Sequence, residues 1–241
     1  SREKTMKREY HKWSSPALGR DMELLVFGHD GLPALVFPTS CGRFYEFEDR
    51  GMVNNVHDKL EHGRLQLICV DSVDSESWYN RSVPPRWRIA RHMQYEQYLM
   101  QEVLPFLRQQ NHSSQLAVIG TSFGGYHALN IALRHPDVFT AMLSMSGAFD
   151  TSSFLAGYYD DDCYFNIPMH YLQNMNDPWY LDQYRRNKYI LATGVHDQCW
   201  NANERMAQIF RDKNIPCQLD VWGDGTGHDW PAWLRMLQTY L

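Results

Sequence analysis

Seven short apolar runs along the chain predict β-strands. The central runs are apolar on consecutive rather than alternate residues, which is typical of strands that are covered on both faces of a sheet. The first two runs are separated only by a glycine-rich turn, so we expect them to form an antiparallel edge. The predicted strands are residues 22–27, 33–38, 65–71, 116–120, 139–146, 189–194 and 218–222.

Four longer segments between these runs have the periodicity of helices. Prolines or a proline-containing segment end two of them, because proline cannot continue a helix. Strands that alternate with helices indicate right-handed βαβ crossovers, and hence a mainly parallel central sheet with helices on both faces. The predicted helices are residues 86–109, 123–134, 201–213 and 230–241.

Residues 147–188 do not follow this alternation. The segment is rich in Tyr, Asp and Asn. A loop of this length inside a compact domain is usually a functional lid or has helices of its own. We expect an insertion over the carboxyl edge of the sheet, lid-like in function, within a single α/β domain that spans residues 1–241.

Composition narrows the classes of function. The chain has 241 residues, a formal net charge of −5 and no long basic run, which argues against a nucleic-acid partner. No apolar stretch reaches the ~20 residues that span a bilayer, so no membrane partner is expected. Five scattered cysteines, with no C-x-x-C pair, favour reduced thiols and a cytoplasmic location. The polar N-terminus lacks the apolar core of a signal peptide.

The strongest chemical signal is a G-x-S-x-G motif, Gly120-Thr121-Ser122-Phe123-Gly124, between a predicted strand and a predicted helix. In this setting a sharp turn raises the serine above the sheet and exposes its oxygen. The start of the helix behind it offers free amides and a positive dipole end, which favour a developing anion. The motif predicts that Ser122 is a nucleophile.

A nucleophilic serine needs a base and a carboxylate that orients the base. His228 lies in a glycine-rich loop between the last strand and the last helix, at the predicted carboxyl edge of the sheet. The chain order Ser, Asp/Glu, His places the carboxylate between residues 122 and 228. Asp197 follows a strand there and is the best candidate. Asp224 and Asp229 are too near His228 in sequence, and Glu204 lies within the predicted helix.

Two backbone amides should hold the oxyanion of a reaction intermediate. Phe123, the residue after the nucleophile, provides one. The second comes from Thr39, Ser40 or Cys41, and we select Ser40. Trp78 and Tyr79 follow another strand at the same edge and are candidates for lining a substrate pocket. No metal motif or dinucleotide or phosphate loop is present, so neither a metal nor a cofactor is expected.

The residues from Gly120 to Gly125, the Asp197 loop and Gly227-His228-Asp229-Trp230 together resemble the esterase D-like "putative esterase" family of α/β-hydrolases. This family includes S-formylglutathione hydrolases, feruloyl and enterochelin esterases, and mycolyltransferases. The resemblance covers nearly the whole chain and implies the α/β-hydrolase fold. It also implies that Ser122, Asp197 and His228 are nucleophile, acid and base. The S-formylglutathione hydrolases have an L-S-G-L-T-C-type oxyanion segment where this chain differs, which argues against a glutathione thioester as substrate.

These features lead to the hypothesis of a serine esterase. It would act on small to medium esters, a small-molecule substrate, through a covalent acyl-enzyme. The same residues are compatible with two alternatives. One is an acyltransferase that uses the same acyl-enzyme, and the other is a non-catalytic hydrolase-fold protein that binds a ligand.

Overall fold

The central sheet has eight strands in a computed structural model that describes residues 6–241. Their order across the sheet is β1-β2-β4-β3-β5-β6-β7-β8. β1 pairs antiparallel with β2, and β2 antiparallel with β4, whereas all the other pairs are parallel. The prediction of a mainly parallel sheet is confirmed. The strands are β1 (Arg8–Ser15), β2 (Arg20–Phe27), β3 (Leu32–Phe37), β4 (Leu65–Val70), β5 (Ala117–Thr121), β6 (Ala141–Met145), β7 (Lys188–Gly194) and β8 (Gln218–Trp222).

The predicted antiparallel pairing of the first two apolar runs is wrong. Those runs are β2 and β3, which are separated in the sheet by β4. β3 is buried almost throughout and lies between two parallel neighbours, β4 and β5. The antiparallel edge is formed instead by β2 and β1. β1 is not among the predicted strands because its sequence, REYHKWSS, has no apolar run.

Helices cover both faces of the sheet, as predicted. Apolar side chains of α4, α5, α6 and α10 join one buried cluster, and those of α1, α2, α3 and α11 join a second cluster on the opposite face. The helices are α1 (Glu46–Asp49), α2 (Met52–Asn55), α3 (His57–Glu61), α4 (Pro85–Tyr98), α5 (Leu104–Gln110), α6 (Phe123–Arg134), α7 (Asp161–Tyr164), α8 (Pro168–Tyr171), α9 (Pro178–Arg186), α10 (Trp200–Asp212) and α11 (Trp230–Tyr240).

The long helix predicted for residues 86–109 is interrupted by a π-helical turn. α4 continues through Leu99–Val103 in π geometry before α5 begins. Pro105 lies just after this turn. Proline has no N–H, and its ring clashes with the carbonyl four residues earlier, so a wider turn accommodates it without ending the helix.

The insertion, residues 147–188, contains α7, α8, α9 and two short 3₁₀ turns. Its apolar side chains belong to the same buried cluster as those of α6, and Phe149, Leu172 and Tyr184 are fully buried. The Tyr184 hydroxyl donates to the Leu133 carbonyl of α6 at 2.7 Å. The insertion is therefore packed into the core along α6. Its function as a lid stays a prediction.

Among residues 6–241, no helix combines the length and the apolar character that crossing a bilayer requires.

Candidate active site

Ser122 lies at the junction of β5 and α6 with backbone angles φ 59° and ψ −121°. Positive φ is unfavourable for a residue with a Cβ and costs about 1–3 kcal/mol, so the surrounding packing must enforce it. Two glycines of the motif make this packing possible. A Cβ on Gly120 would be 1.8 Å from the Gly124 carbonyl oxygen, and one on Gly124 would be 2.2 Å from that of Pro38. The turn therefore requires glycine on both sides of the serine.

His228 lies in the loop between β8 and α11, and its Nε2 is 2.8 Å from Ser122 Oγ. The loop is attached to the end of β7, because the His196 amide donates to the Thr226 carbonyl at 2.9 Å. On its other side, the imidazole packs edge-on against Trp233, with 5.0 Å between ring centroids. These contacts hold the ring at the serine.

Asp197 completes a line of three side chains. Its Oδ1 is 2.9 Å from His228 Nδ1 and also accepts from the Cys199 amide at 2.8 Å. Burial raises the pKa of the Asp197 carboxyl, but hydrogen bonds from His228 and the Cys199 amide lower it by more, and the net pKa lies below its usual value. The carboxyl is therefore ionised at neutral pH. The structure thus brings together the three residues that the sequence selected.

Hydrogen bonds to nearby carboxylates set the Thr39 and Cys41 amides apart from the Ser40 amide between them. The Thr39 amide donates to Glu46 Oε1 at 2.9 Å, and the Cys41 amide donates to Asp74 Oδ2 at 3.0 Å. Within the described part of the chain, the Ser40 amide has no hydrogen-bond acceptor. The Phe123 amide, at the start of α6, is likewise without an acceptor among residues 6–241.

Aromatic side chains lie beside the serine turn. Tyr79 is half-buried, with its ring centroid 5.2 Å from that of Phe123 and 4.7 Å from that of Phe154 in the insertion. Trp78 is fully buried behind Phe123 and packs on Tyr126. Of the two candidates for the pocket, only Tyr79 has a surface open to solvent. Trp78 supports the wall from inside.

Two residues near the site were not selected from the sequence. His127 Nε2 is 2.8 Å from Asp74 Oδ1, and both side chains are buried. The sequence places His127 on the nucleophile's helix, facing away from the serine, and Asp74 in an aromatic loop. Neither position has a motif of its own. The available signal was weak: Asp74 follows β4 at the carboxyl edge of the sheet.

Two groups of side chains in the described chain have the donor atoms for a metal ion. Asp197, Cys199 and His228 form one, and His57, Asp58 and Glu61 form the other, with ligand atoms within 4.8 Å of one another. In the first group, the hydrogen bond between Asp197 and His228 already joins two of the donors.

Comparison with known proteins identifies a matching family and solved structures of similar fold. A family model described as "Putative esterase" matches residues 15–240. A ferulic acid esterase has a similar structure, with a TM-score of 0.78 at 20% identity, covering 98% of this chain and 96% of that one. An S-formylglutathione hydrolase from Staphylococcus aureus gives 0.73 at 18% identity, covering 99% and 96%.

A second S-formylglutathione hydrolase, from Agrobacterium tumefaciens, gives a TM-score of 0.75 at 15% identity, covering 100% of this chain and 95% of that one. No significant match was found among the curated proteins. At such low identity the structural matches establish the fold alone. The predicted α/β-hydrolase fold is confirmed.

Proposed function

Because the chain belongs to the "Putative esterase" family, and is thus a carboxylic-ester hydrolase, we propose that it hydrolyses small to medium esters through a covalent acyl-enzyme on Ser122. His228 is the general base and acid, and Asp197 orients and stabilises its imidazolium. The observation that carries the proposal is the continuous hydrogen-bonded line from Ser122 Oγ through both ring nitrogens of His228 to Asp197 Oδ1, at 2.8 and 2.9 Å.

In acylation, His228 Nε2 takes the hydroxyl proton of Ser122 as Oγ bonds to the ester carbonyl carbon. The electron pair of the carbonyl moves to its oxygen, and the amides of Phe123 and Ser40 donate to this oxyanion. Free N–H donors that are already in place stabilise the charge without reorganisation. When the intermediate collapses, the carbon–oxygen bond to the leaving alcohol breaks, and His228 gives that oxygen its proton.

Deacylation repeats the sequence with water. His228 takes a proton from the water as the water oxygen attacks the acyl carbon, and it then returns a proton to Ser122 Oγ as the acid leaves. Asp197 remains ionised through the cycle, in agreement with its lowered pKa. Every proton that leaves one group is thereby accounted for on another.

The acyl or alcohol part of the ester would contact Tyr79. Its half-buried ring, together with Phe154 of the insertion, forms an aromatic wall next to the serine turn. Such a wall favours apolar or aromatic groups of modest size.

A cytoplasmic location is supported by the thiols. All five cysteines are free, and Cys69 and Cys163 are buried. A reducing compartment maintains cysteines in this state.

The test combines turnover with covalent labelling. The wild-type protein should hydrolyse p-nitrophenyl butyrate and take up one fluorophosphonate on Ser122, located by peptide mass spectrometry. Ser122→Ala should lose both, and His228→Ala should lose nearly all of both. Ser113→Ala is the matched control, because Ser113 precedes β5 at the opposite sheet edge and, among residues 6–241, its hydroxyl accepts only from the Gln115 amide. Folded wild-type protein that does neither would refute the proposal.

The same assay separates hydrolysis from acyl transfer. An added alcohol acceptor leaves the yield of free acid unchanged if water is the natural acceptor. A dominant ester product would instead show an acyltransferase.

A further inference from the structure

We propose that Glu46 and Asp74 are positioning residues that aim the Ser40 amide at the oxyanion, and that His127 holds Asp74 in place for this purpose. The inference rests on the proposed function, since it assigns a role within the same reaction. Glu46, Asp74 and His127 would act through the Ser40 amide and not by contact with the reacting atoms.

The two carboxylates bind the backbone on both sides of Ser40. Glu46 accepts from the Thr39 amide at 2.9 Å and from the Thr39 hydroxyl at 2.7 Å. Asp74 accepts from the Cys41 amide at 3.0 Å. Hydrogen bonds to an ionised acceptor are roughly twice as strong as neutral ones. With its neighbours fixed in this way, the peptide plane that carries the Ser40 N–H has little freedom to rotate.

The loop that contains Ser40 also fits closely around the Glu46 carboxylate. A Cβ on Gly42 would be 2.6 Å from Glu46 Oε2 and 2.8 Å from Pro38 Cβ. The Gly42 amide donates to the Thr39 carbonyl at 2.9 Å and closes the turn. The backbone at Cys41 has φ 56°, a conformation that persists only where the surroundings impose it. The turn is thus shaped for this one arrangement.

Asp74 is nearly inaccessible to solvent, with 1% relative exposure. A buried carboxylate is costly unless charged or polar donors surround it. His127 supplies such a donor through Nε2 at 2.8 Å, and the Cys41 amide supplies another on the second oxygen. The Asp74 carbonyl also accepts from the Tyr79 amide at 2.9 Å, so this residue fixes part of the proposed pocket wall as well.

His127 connects this arrangement to the nucleophile's own helix. It lies on α6, five residues after Ser122, and is 4% exposed. Its ring stacks on Phe37, with centroids 5.5 Å apart and planes at 22°. Phe37 is the last residue of β3, which leads into the Ser40 loop. The buried His127 ring therefore fixes the position of the Ser40 amide relative to the Phe123 amide, although the two amides belong to different elements.

The test measures whether substitutions at Glu46 and Asp74 destabilise the transition state, which lowers kcat, or the bound substrate, which raises KM. Glu46→Ala and Asp74→Asn should each lower kcat by about 10- to 100-fold, somewhat less than deletion of an oxyanion donor, which costs 10²–10³. KM for p-nitrophenyl butyrate should stay within about threefold, since the ground-state ester does not depend on the hole. A trifluoromethyl ketone, whose adduct with Ser122 carries an oxyanion, should lose affinity by the same factor as kcat/KM.

His127 offers a matched pair. Gln at this position keeps a donor for Asp74 and should preserve most of kcat, whereas Phe keeps the stacking on Phe37 without the donor and should lose it. Glu96→Gln is the control, because it alters a carboxylate–histidine pair that lies away from the Ser40 loop. In this pair Glu96 Oε1 is 2.7 Å from His135 Nε2. Glu96→Gln should change stability without changing kcat or ketone affinity.

The outcomes are distinct. Variants that fold, by circular dichroism, and keep the wild-type kcat and ketone affinity would overturn the inference while leaving the proposed function intact. A wild-type protein that neither turns over ester nor takes the fluorophosphonate would remove the proposed function and this inference together. If Asp74→Asn does not fold, Glu46→Ala decides, because Glu46 is only partly buried.

Discussion

Replacing Asp197 with Asn should lower kcat about 10³-fold with little change in KM. Asp197 Oδ1 accepts from both His228 Nδ1 and the Cys199 amide, while Oδ2 is buried and has no hydrogen-bond partner among the described residues. The amide oxygen of Asn can take the Oδ1 position and keep both bonds. The imidazole then keeps its tautomer, and the lost contribution is the negative charge.

The magnitude follows from the distance. Two unit charges about 4 Å apart interact by roughly 4 kcal/mol at an effective dielectric constant near 20. That energy stabilises the imidazolium of His228 only when Ser122 has given up its proton, so it is lost from the transition state. At 1.36 kcal/mol for each factor of ten, the loss is about 10³-fold. The opposite amide orientation would face two donors and impose the wrong tautomer, which costs about 10⁴.

The assay is saturation kinetics on p-nitrophenyl butyrate, with circular dichroism to verify the fold. Glu96→Gln, which alters another carboxylate–histidine pair, should retain kcat. A folded Asp197→Asn protein with kcat within about tenfold of the wild-type value would refute the reasoning, because the carboxylate charge would then contribute little to catalysis.

Three further predictions concern stability. Gly124→Ala should cost about 1–3 kcal/mol in urea denaturation, because its Cβ would be 2.2 Å from the Pro38 carbonyl oxygen; an unchanged midpoint contradicts this. Burial lowers the pKa of His92 from 6.5 to about 3, so between these pH values the unfolded chain binds the extra proton. The contribution of His92 to the free energy of unfolding should therefore be fully present above pH 6.5 and should fall as the pH drops, by up to about 1.4 kcal/mol per pH unit. His92→Gln should flatten this slope, and parallel slopes for the two proteins would contradict the prediction. Glu102→Ala removes the acceptor of Trp13 Nε1 and two other donors and should cost about 2–3 kcal/mol, with faster amide exchange in β1 than in β5; uniform exchange would count against it.

Local signals in the sequence were sufficient for the elements that bear the chemistry. Residues 123–134 are α6 to the residue, because the motif fixes its start and His135-Pro136 fixes its end. Ser122, Asp197 and His228 were each selected because they lie in a turn or loop that follows a predicted strand and precedes a predicted helix. Parallel strands bring their carboxyl ends to one edge of the sheet, so the meeting of these three side chains follows from topology.

The sequence by itself thus determined the class of fold, the turn that carries the serine and the three side chains that align there. Only the tertiary structure decided that β2 pairs with β4, and that Glu46 and Asp74 take the amides on either side of Ser40. The physical reason is the range of the interaction. Hydrophobic periodicity reports which side of a segment is buried, whereas the partner of a strand edge or of the buried Asp74 carboxylate comes from an element that is distant in sequence. The bond from the Thr39 amide to Glu46 is nearer in sequence, but it depends on how the loop between these two residues folds. His127 and Asp74 are 53 residues apart, and neither has a local pattern that points to the other.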